Sequence, residues 1–492
     1  MGLRLLLECC RPARLRDGPA ARWLWLSTEL VRELLIAAGP GEWRAALLED
    51  DVPVEIYVER GDRREAGSIY LGRVRRIEPG LGAALIDIGD QRPAFLPRSE
   101  VVPRGKRLHE GERVVVQIRG EAQAGKAARA TMRVRLRSRG LELIFGRAGL
   151  DGEEVLEPDE RNQLQDAVAT LTHPAAERSE ASEGVVGFRI VKTFPIDALL
   201  TEAAALGGHW RDLRDRTAQL APPSRLDPPA TFAAALANKM SRVPSHILVD
   251  DPGAIPDIRA AFPESVVGSC AEAEWPIELD EVFDQALSET IALPGGGSVH
   301  IETTRAAALI DVDTGTPEAG SPERAGLVVN LAAAAAIAKQ IRLRNLGGGI
   351  VVDFVGLDRR AARERVRAAL ADALASDPAA PQLLGWTRLG HLELVRPRRG
   401  RPLAEALLEP RDGSALAKTP VTVAYEALRA LRREARAQPG GRWRLTVAPN
   451  VAAALATGVR AAAQETERRF AREIAIEAES AIAREQYRIS RL

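Results

Sequence analysis

Short apolar runs of period two, broken by Gly- and Pro-rich turns, alternate along this chain with longer Ala- and Leu-rich stretches of helical character. The pattern predicts a mixed, multidomain α+β protein. Residues 30–60 read as strands around the turn GPGE (39–42), closing on the alternating strand VPVEIYVER (52–60). Between Gly67 and Met132 the segments SIYLGRVRRIEPG, LGAALIDIGD, RPAFLP and GERVVVQIRG suggest five short strands with glycine at the corners, the pattern of a small closed barrel. Helices are expected at 158–171, 198–220 (one helix or a pair), 420–438 and 464–485. Strands are expected at GVVGFRIV (184–191), SHILVDD (245–251), SVVGSCAE (265–272) and RWRLTVAP (442–449), with a boundary at APPSRLDPP (221–229).

One stretch brings chemistry with its pattern. AAALIDVDTG (306–315) and IVVDFVGL (350–357) read as short strands joined by the Ala-rich helix of GLVVNLAAAAAIAKQIRLRNLGGG (326–349). A strand, crossover helix and parallel strand place both strand ends at one edge of a sheet. Asp311 and Asp353 stand at those ends and would offer oxygen ligands to one divalent cation of the Mg²⁺ type, with Asp313 on the same face as Asp311. An aspartate at a strand end also caps loops, so the spacing alone gives a metal-site hypothesis and no reaction. Arg342 and Arg344, near the helix end, are candidates for neutralising backbone phosphates, or cations favoured by the helix dipole. The lone His391 is read as structural.

Composition narrows the classes. The chain has 492 residues, 46% of them hydrophobic, enough for several cores. Its net charge is zero but unevenly spread: residues 66–139 carry 16 Arg and Lys against 7 Asp and Glu, and residues 141–189 carry 11 acidic residues against 4 arginines. A compact block of net +9 marks a polyanion surface. Cys9, Cys10 and Cys270 supply neither a disulfide framework nor a CxxC zinc motif, and the chain reads as cytoplasmic. No run reaches the roughly 18 apolar residues of a membrane span, so no membrane partner is expected. Residues 1–26 read as an extension or a start codon set too early, with the chain proper beginning near Ser27. Small barrels of the oligonucleotide-binding kind pair a basic groove with aromatic rings. Here those are Tyr70 and Phe95 among Arg73, Arg75, Arg76 and Arg92, with Lys126 in a later turn.

At this point the chain resembles a known family. SIYLGRVRRIEPGLGAALIDIGDQRPAFLPRSE (68–100) is similar to the S1 RNA-binding module of the ribonuclease E/G family. LPGGGSVHIETTRAAALIDVDTG (293–315), NLAAAAAIAKQIRLRNLGGGIVVDF (330–354) and LGHLELVRPR (389–398) resemble its catalytic segment, in the family's order. The resemblance implies an RNase H-like domain in two parts (27–65 and 225–286) with the S1 barrel inserted (66–138). A 5′-sensor region (139–224), a DNase I-like catalytic domain (287–405), a linker in place of the zinc link (406–417) and a small C-terminal α/β domain (418–492) complete it. It implies a Mg²⁺-dependent endoribonuclease that cuts single-stranded, AU-rich RNA such as rRNA precursors and mRNA, leaving 5′-phosphate and 3′-hydroxyl ends. Carried over by position, Asp311 and Asp353 hold the metal, Asp313 stands where the family usually has asparagine, and Phe95 and Lys126 match RNA-contacting positions.

The departures carry their own expectations. Leu85 occupies a commonly aromatic barrel position. In the 5′-sensor Arg189 is kept, but Ile190 replaces a threonine and the position of a second arginine falls near Ala380, so a strong preference for 5′-monophosphate ends is not expected. The stretch LLEPRDG (407–413) lacks the zinc-link cysteines, so no structural zinc is expected and any homodimer would not be zinc-linked. No counterpart of the long degradosome scaffold of some members is expected, so the resemblance is nearer the compact ribonuclease G branch. The alternative reading is a catalytically inactive RNA-binding protein, or a ribosome-associated factor, on the same scaffold.

Overall fold

A computed structural model describes residues 31–492 apart from 62–66, 91, 121–126, 139, 173–185, 192–193, 228–230, 241, 305, 316–321, 412–415, 439 and 471–472. The expected extension (1–26) and Lys126 lie outside the described residues. The chain divides into two compact units, one made of the residues up to Asp62 with Ala230–Leu492, the other of Arg63–Pro229.

The first unit opens with β1 (Arg32–Ala38), β2 (Glu42–Glu49) and β3 (Val52–Arg60), an antiparallel meander. The turn between β1 and β2 requires glycine: Gly41 has φ +73°, and a Cβ there would lie 2.8 Å from Ala462. Every residue of β2 is buried, so both of its faces are covered.

The second unit begins with β4 (Ile69–Glu78), β5 (Ala83–Asp87), β6 (Ala94–Pro97), β7 (Arg113–Gly120) and β8 (Arg129–Thr131). The order β4-β5-β6-β8-β7, closed by pairing of β4 with β7, makes the expected five-stranded barrel. Alternation turns Val74, Ile86, Leu96, Val116 and Ile118 into its interior. Next come β9 (Arg135–Arg137), β10 (Leu141–Phe145), β11 (Gly149–Asp151), α1 (Pro158–Thr172), β12 (Val186–Ile190) and α2 (Ile196–Gln219). The four strands form a sheet of order β11-β12-β10-β9, and its core includes Leu164 of α1, Phe188 of β12, and Leu199 and Ala203 of α2. The stretch 198–220 is a single helix rather than a pair. The two-residue strand β13 (Ser224–Arg225) returns to pair with β4.

Back in the first unit, α3 (Phe232–Lys239), β14 (His246–Val249), α4 (Ile255–Ala261), β15 (Val266–Ser269) and α5 (Leu279–Leu287) follow. β14 runs parallel to β1, giving the sheet order β15-β14-β1-β2-β3, so segments from both sides of the 63–229 insertion build one sheet. The next sheet comprises β16 (Thr290–Ala292), β17 (Ser298–Thr303), β18 (Ala307–Asp313), β19 (Gly348–Asp353), β20 (Gln382–Trp386) and β21 (Leu392–Arg396), in the order β16-β17-β18-β19-β21-β20. The crossover α6 (Pro322–Leu343) joins the parallel pair β18 and β19, and α7 (Arg360–Leu374) follows β19. Both helices pack on one face, where Ile310, Val352, Ala333, Ile337, Ile341, Val366 and Leu370 form the core. By length and mean composition α6 is apolar enough to span a membrane, although polar residues such as Asn330 and Lys339 interrupt its apolar run, and it is the core helix of this sheet.

The C-terminal part contains α8 (Leu403–Leu407), a hairpin of β22 (Leu408–Pro410) and β23 (Leu416–Lys418), α9 (Pro420–Ala437), β24 (Trp443–Val447), α10 (Pro449–Ala456), α11 (Arg460–Phe470), β25 (Ile474–Ala478) and β26 (Tyr487–Arg491). The expected long helix at 464–485 is corrected: α11 stops at Phe470, and β25 and β26 flank β24 in a three-stranded sheet. The Ala, Glu and Arg content favours a helix, but pairing on both sides of the buried β24 overrides it. α9 binds the first sheet through buried charges. Glu42 accepts from Arg60 at 2.5 Å and from Arg429, while Arg44 bonds Glu426 at 3.1 Å and Asp280 at 3.3 Å. Burial favours the neutral form of Glu42, but Arg60, Arg429 and Arg44 outweigh it and hold its carboxyl at about 2.

Candidate active site

One face of the second sheet of the first unit is covered by α6 and α7; alternation sends the other set of side chains away from that core. On β18, Ala308, Ile310 and Val312 are buried while Leu309, Asp311 and Asp313 are exposed. The parallel register pairs Asp311 with Asp353, and the antiparallel register pairs Asp311 with His300 of β17. His300 in turn is paired with Thr290 of β16, and His391 immediately precedes β21, whose first residue, Leu392, is paired with Val352. The strands therefore line up one polar row across the sheet: Thr290, His300, Asp311, Asp353 and His391. Asp313 lies one repeat further on, opposite Ser298.

Local structure fixes this row from several sides. Gly297, with φ +88°, allows the turn before β17 to reach the end of β18, since a Cβ there would meet the Asp313 carbonyl at 2.5 Å. The fully buried Asn330 of α6 donates its amide to the carbonyl of Val355 at 2.8 Å and accepts from the Val355 N–H at 3.0 Å, two residues beyond Asp353. The ring of His300 is held at both nitrogens, by Thr290 Oγ1 at 3.0 Å and Ser298 Oγ at 3.1 Å. His391 Nε2 lies 3.5 Å from Asp353 Oδ2.

Adjacent strands lie about 4.8 Å apart, so the two carboxylates sit within reach of one ion. Among the described residues no group of three or more His, Cys, Asp or Glu side chains is close enough to form a ready-made cage. The donor set, exposed carboxylates side by side, suits an ion held by one or two carboxylates that keeps several waters, the habit of Mg²⁺.

A family model, "Ribonuclease E/G family", matches residues 153–399, which include both aspartates and the whole of this sheet. The chain belongs to the ribonuclease E/G family. Over 93% of its length it is 27% identical to ribonuclease G of Salmonella typhimurium (strain SL1344), covering 99% of that protein. It is 28% identical to ribonuclease G of Escherichia coli (strain K12), with 87% of this chain and 92% of that one aligned. Ribonuclease E of Synechocystis is 30% identical over 74% of this chain and 57% of its own.

In this ribonuclease E/G family chain some sequence candidates fall elsewhere than expected. Arg342 is buried and bonds both oxygens of Glu49 at 3.1 Å, with Glu55 at 2.7 Å. Burial opposes its charge, but these two carboxylates raise its pKa. Arg344 is also buried, bonding Gln340 Oε1 at 2.7 Å and the Ser288 carbonyl at 2.6 Å, and burial lowers it to about 10. Both arginines are internal ties rather than phosphate ligands, because the helix end that carries them is packed on β3 and α5. Tyr70 is likewise only 4% exposed, in the barrel core, and offers no stacking face.

On the barrel exterior Phe95 is half-buried, with Leu85 opposite it on one neighbouring strand and the exposed Arg129 on the other. Arg73 is exposed on β4. Arg189 pairs with the buried Glu142, which also accepts from Arg137 at 2.7 Å and lies 3.8 Å from Arg135. Burial works against the Glu142 carboxylate, yet the bonds from Arg137 and Arg189 lower its pKa.

His300, Asn330 and the place of His391 were not identified from sequence. His300 had a signal, since it sits two residues from Ser298 on the alternate face of SVHIE. Asn330 had another, as a polar residue inside the apolar stripe of α6.

Proposed function

We propose that this chain is a Mg²⁺-dependent endoribonuclease that cuts single-stranded, AU-rich RNA, with Asp311 and Asp353 holding the metal. Family membership makes it an endoribonuclease of the ribonuclease E/G type; the metal, its ligands and the substrate are our reading. The observation that carries it is the parallel register of Asp311 and Asp353 at the open edge of the sheet. When bound, the ion supplies a polarised water and balances charge on the scissile phosphate. Asp311 and Asp353 anchor that ion, and Asp313 adds negative charge beside them. Asn330 fixes the backbone that follows Asp353. Leu309, exposed beside Val351 in the next row of the same face, gives a base an apolar floor next to the carboxylates.

In the second unit, Phe95 with Leu85 and Arg129 gives the barrel one ring and one cation on a continuous outer face, suited to a stacked base and its phosphate. Around Glu142, three guanidinium groups share one carboxylate, which leaves positive charge for an anion even though Arg189 is already paired.

The test is cleavage of a short AU-rich RNA with Mg²⁺ and with EDTA, comparing wild type with Asp311→Asn and Asp353→Asn, on 5′-hydroxyl and 5′-monophosphate substrates. Magnesium-dependent cutting lost in both variants, with RNA affinity kept, is expected. Cutting by either variant at the wild-type rate refutes the site, and binding without cutting by wild type moves the assignment to an RNA-binding protein.

A further inference from the structure

The polar row holds two histidines in different circumstances. His300 has both ring nitrogens satisfied by hydroxyls. Among the described residues the ring of His391 makes no hydrogen bond, and its nearest charged partner is Asp353, with Nε2 3.5 Å from Oδ2. That separation is longer than an N–H···O hydrogen bond, about 2.7–3.2 Å. It is near the separation of two ligands of one ion: donors roughly 2.0–2.2 Å from the metal lie about 2.8–3.1 Å apart at neighbouring octahedral positions and about 3.3–3.6 Å apart in a tetrahedron.

The backbone beneath the ring is pinned. His391 N donates to Thr387 Oγ1 at 3.1 Å, and its carbonyl accepts from Thr387 N at 2.8 Å. Gly390, with φ +98°, makes the tight turn that delivers His391 to the edge of β21. The ring is one-third exposed and the carboxylate more than half, so an ion can reach both.

We infer that His391 is a further protein ligand of the metal centre at Asp353, one that raises the affinity of this Mg²⁺ site for divalent transition ions while leaving its Mg²⁺ affinity nearly unchanged. The inference rests on the reading of Asp353 as a metal ligand. Its chemistry is that of the donor: imidazole nitrogen suits first-row transition ions, whereas carboxylate and water suit Mg²⁺. His391 therefore adds affinity for the first class and little for the second.

The experiment uses the full chain and Mn²⁺ as the probe, read by electron paramagnetic resonance. Binding is titrated, and pulsed spectra are searched for the ¹⁴N modulation of a coordinated imidazole. Wild type should show the modulation. His391→Gln should lose it and bind Mn²⁺ about tenfold more weakly, while His300→Gln should keep it. Mg²⁺ affinity, measured by competition, should change by less than about twofold in His391→Gln.

Absence of ¹⁴N modulation in wild type, which needs no variant to fold, overturns the inference, as does its persistence in His391→Gln. If Asp353→Asn still weakens Mn²⁺ binding in either case, only His391 is removed from the centre. If Asp353→Asn leaves Mn²⁺ binding unchanged, the metal-site reading itself fails.

Discussion

Replacing Asn330 by leucine tests how the fold holds the end of β19. The side chain is fully buried and makes two hydrogen bonds to one residue, 2.8 Å to the Val355 carbonyl and 3.0 Å from the Val355 N–H. Leucine keeps the branched shape and the number of heavy atoms but is larger, so no cavity forms and the loss is chiefly that of the two bonds. A buried backbone group left without a partner costs about 1–3 kcal/mol. Val355 is only half-buried, which keeps each cost near the lower end. The sum is about 2–3 kcal/mol. Urea unfolding of wild type and Asn330→Leu should show that loss as a lower midpoint with an unchanged slope. RNA cleavage should also fall below saturation of the variant, because Asp353 lies two residues before the released backbone. A stability loss under about 0.5 kcal/mol would mean that water replaces both bonds and that α6 does not position the strand end.

Three other outcomes are expected. Glu42 is depressed from an ordinary 4.5 to about 2, so its stabilisation is complete above pH 4.5 and is lost as pH falls towards 2; this amounts to about 3 kcal/mol. Unfolding free energies measured from pH 5 to pH 2 should fall less steeply in Glu42→Gln, and an equal slope would remove Glu42 from the acid transition. Arg342→Ala should destabilise the chain by about 2–3 kcal/mol, because its bonds to Glu49 and Glu55 are lost while Arg32 and Arg242, each 3.5 Å from Glu49, remain, yet leave the salt dependence of RNA binding unaltered; a flatter salt slope would restore Arg342 as a phosphate ligand. Phe95→Ala should weaken single-stranded RNA binding by about 1–3 kcal/mol in a fluorescence titration, and Leu85→Phe should strengthen it. No change in either would exclude this barrel face from RNA contact.

Much of this protein was legible in the order of its residues. The barrel followed from short alternating runs with glycine between them. The parallel pair β18 and β19 followed from two β-branched runs joined by an Ala-rich helix, because a right-handed crossover is almost the only way to join such strands. Asp311 and Asp353 were nominated by that same pattern, since the period of two fixes which face of a strand a residue occupies and the strand end fixes its height.

The tertiary structure decided what lies across strands or beneath helices. Whether an arginine near a helix end meets solvent or a buried carboxylate depends on the partner element. Arg342 and Glu49 are remote in sequence and meet only because α6 packs on β3. Tyr70 and Phe95 look alike as aromatic residues of a basic barrel, and closure of the barrel puts one inside and leaves the other half outside. The strand β25 lies in a stretch of helix-forming composition, and β24 recruits it through backbone hydrogen bonds that no local preference encodes. The row from Thr290 to His391 is likewise a property of register, which is set between strands rather than along the chain.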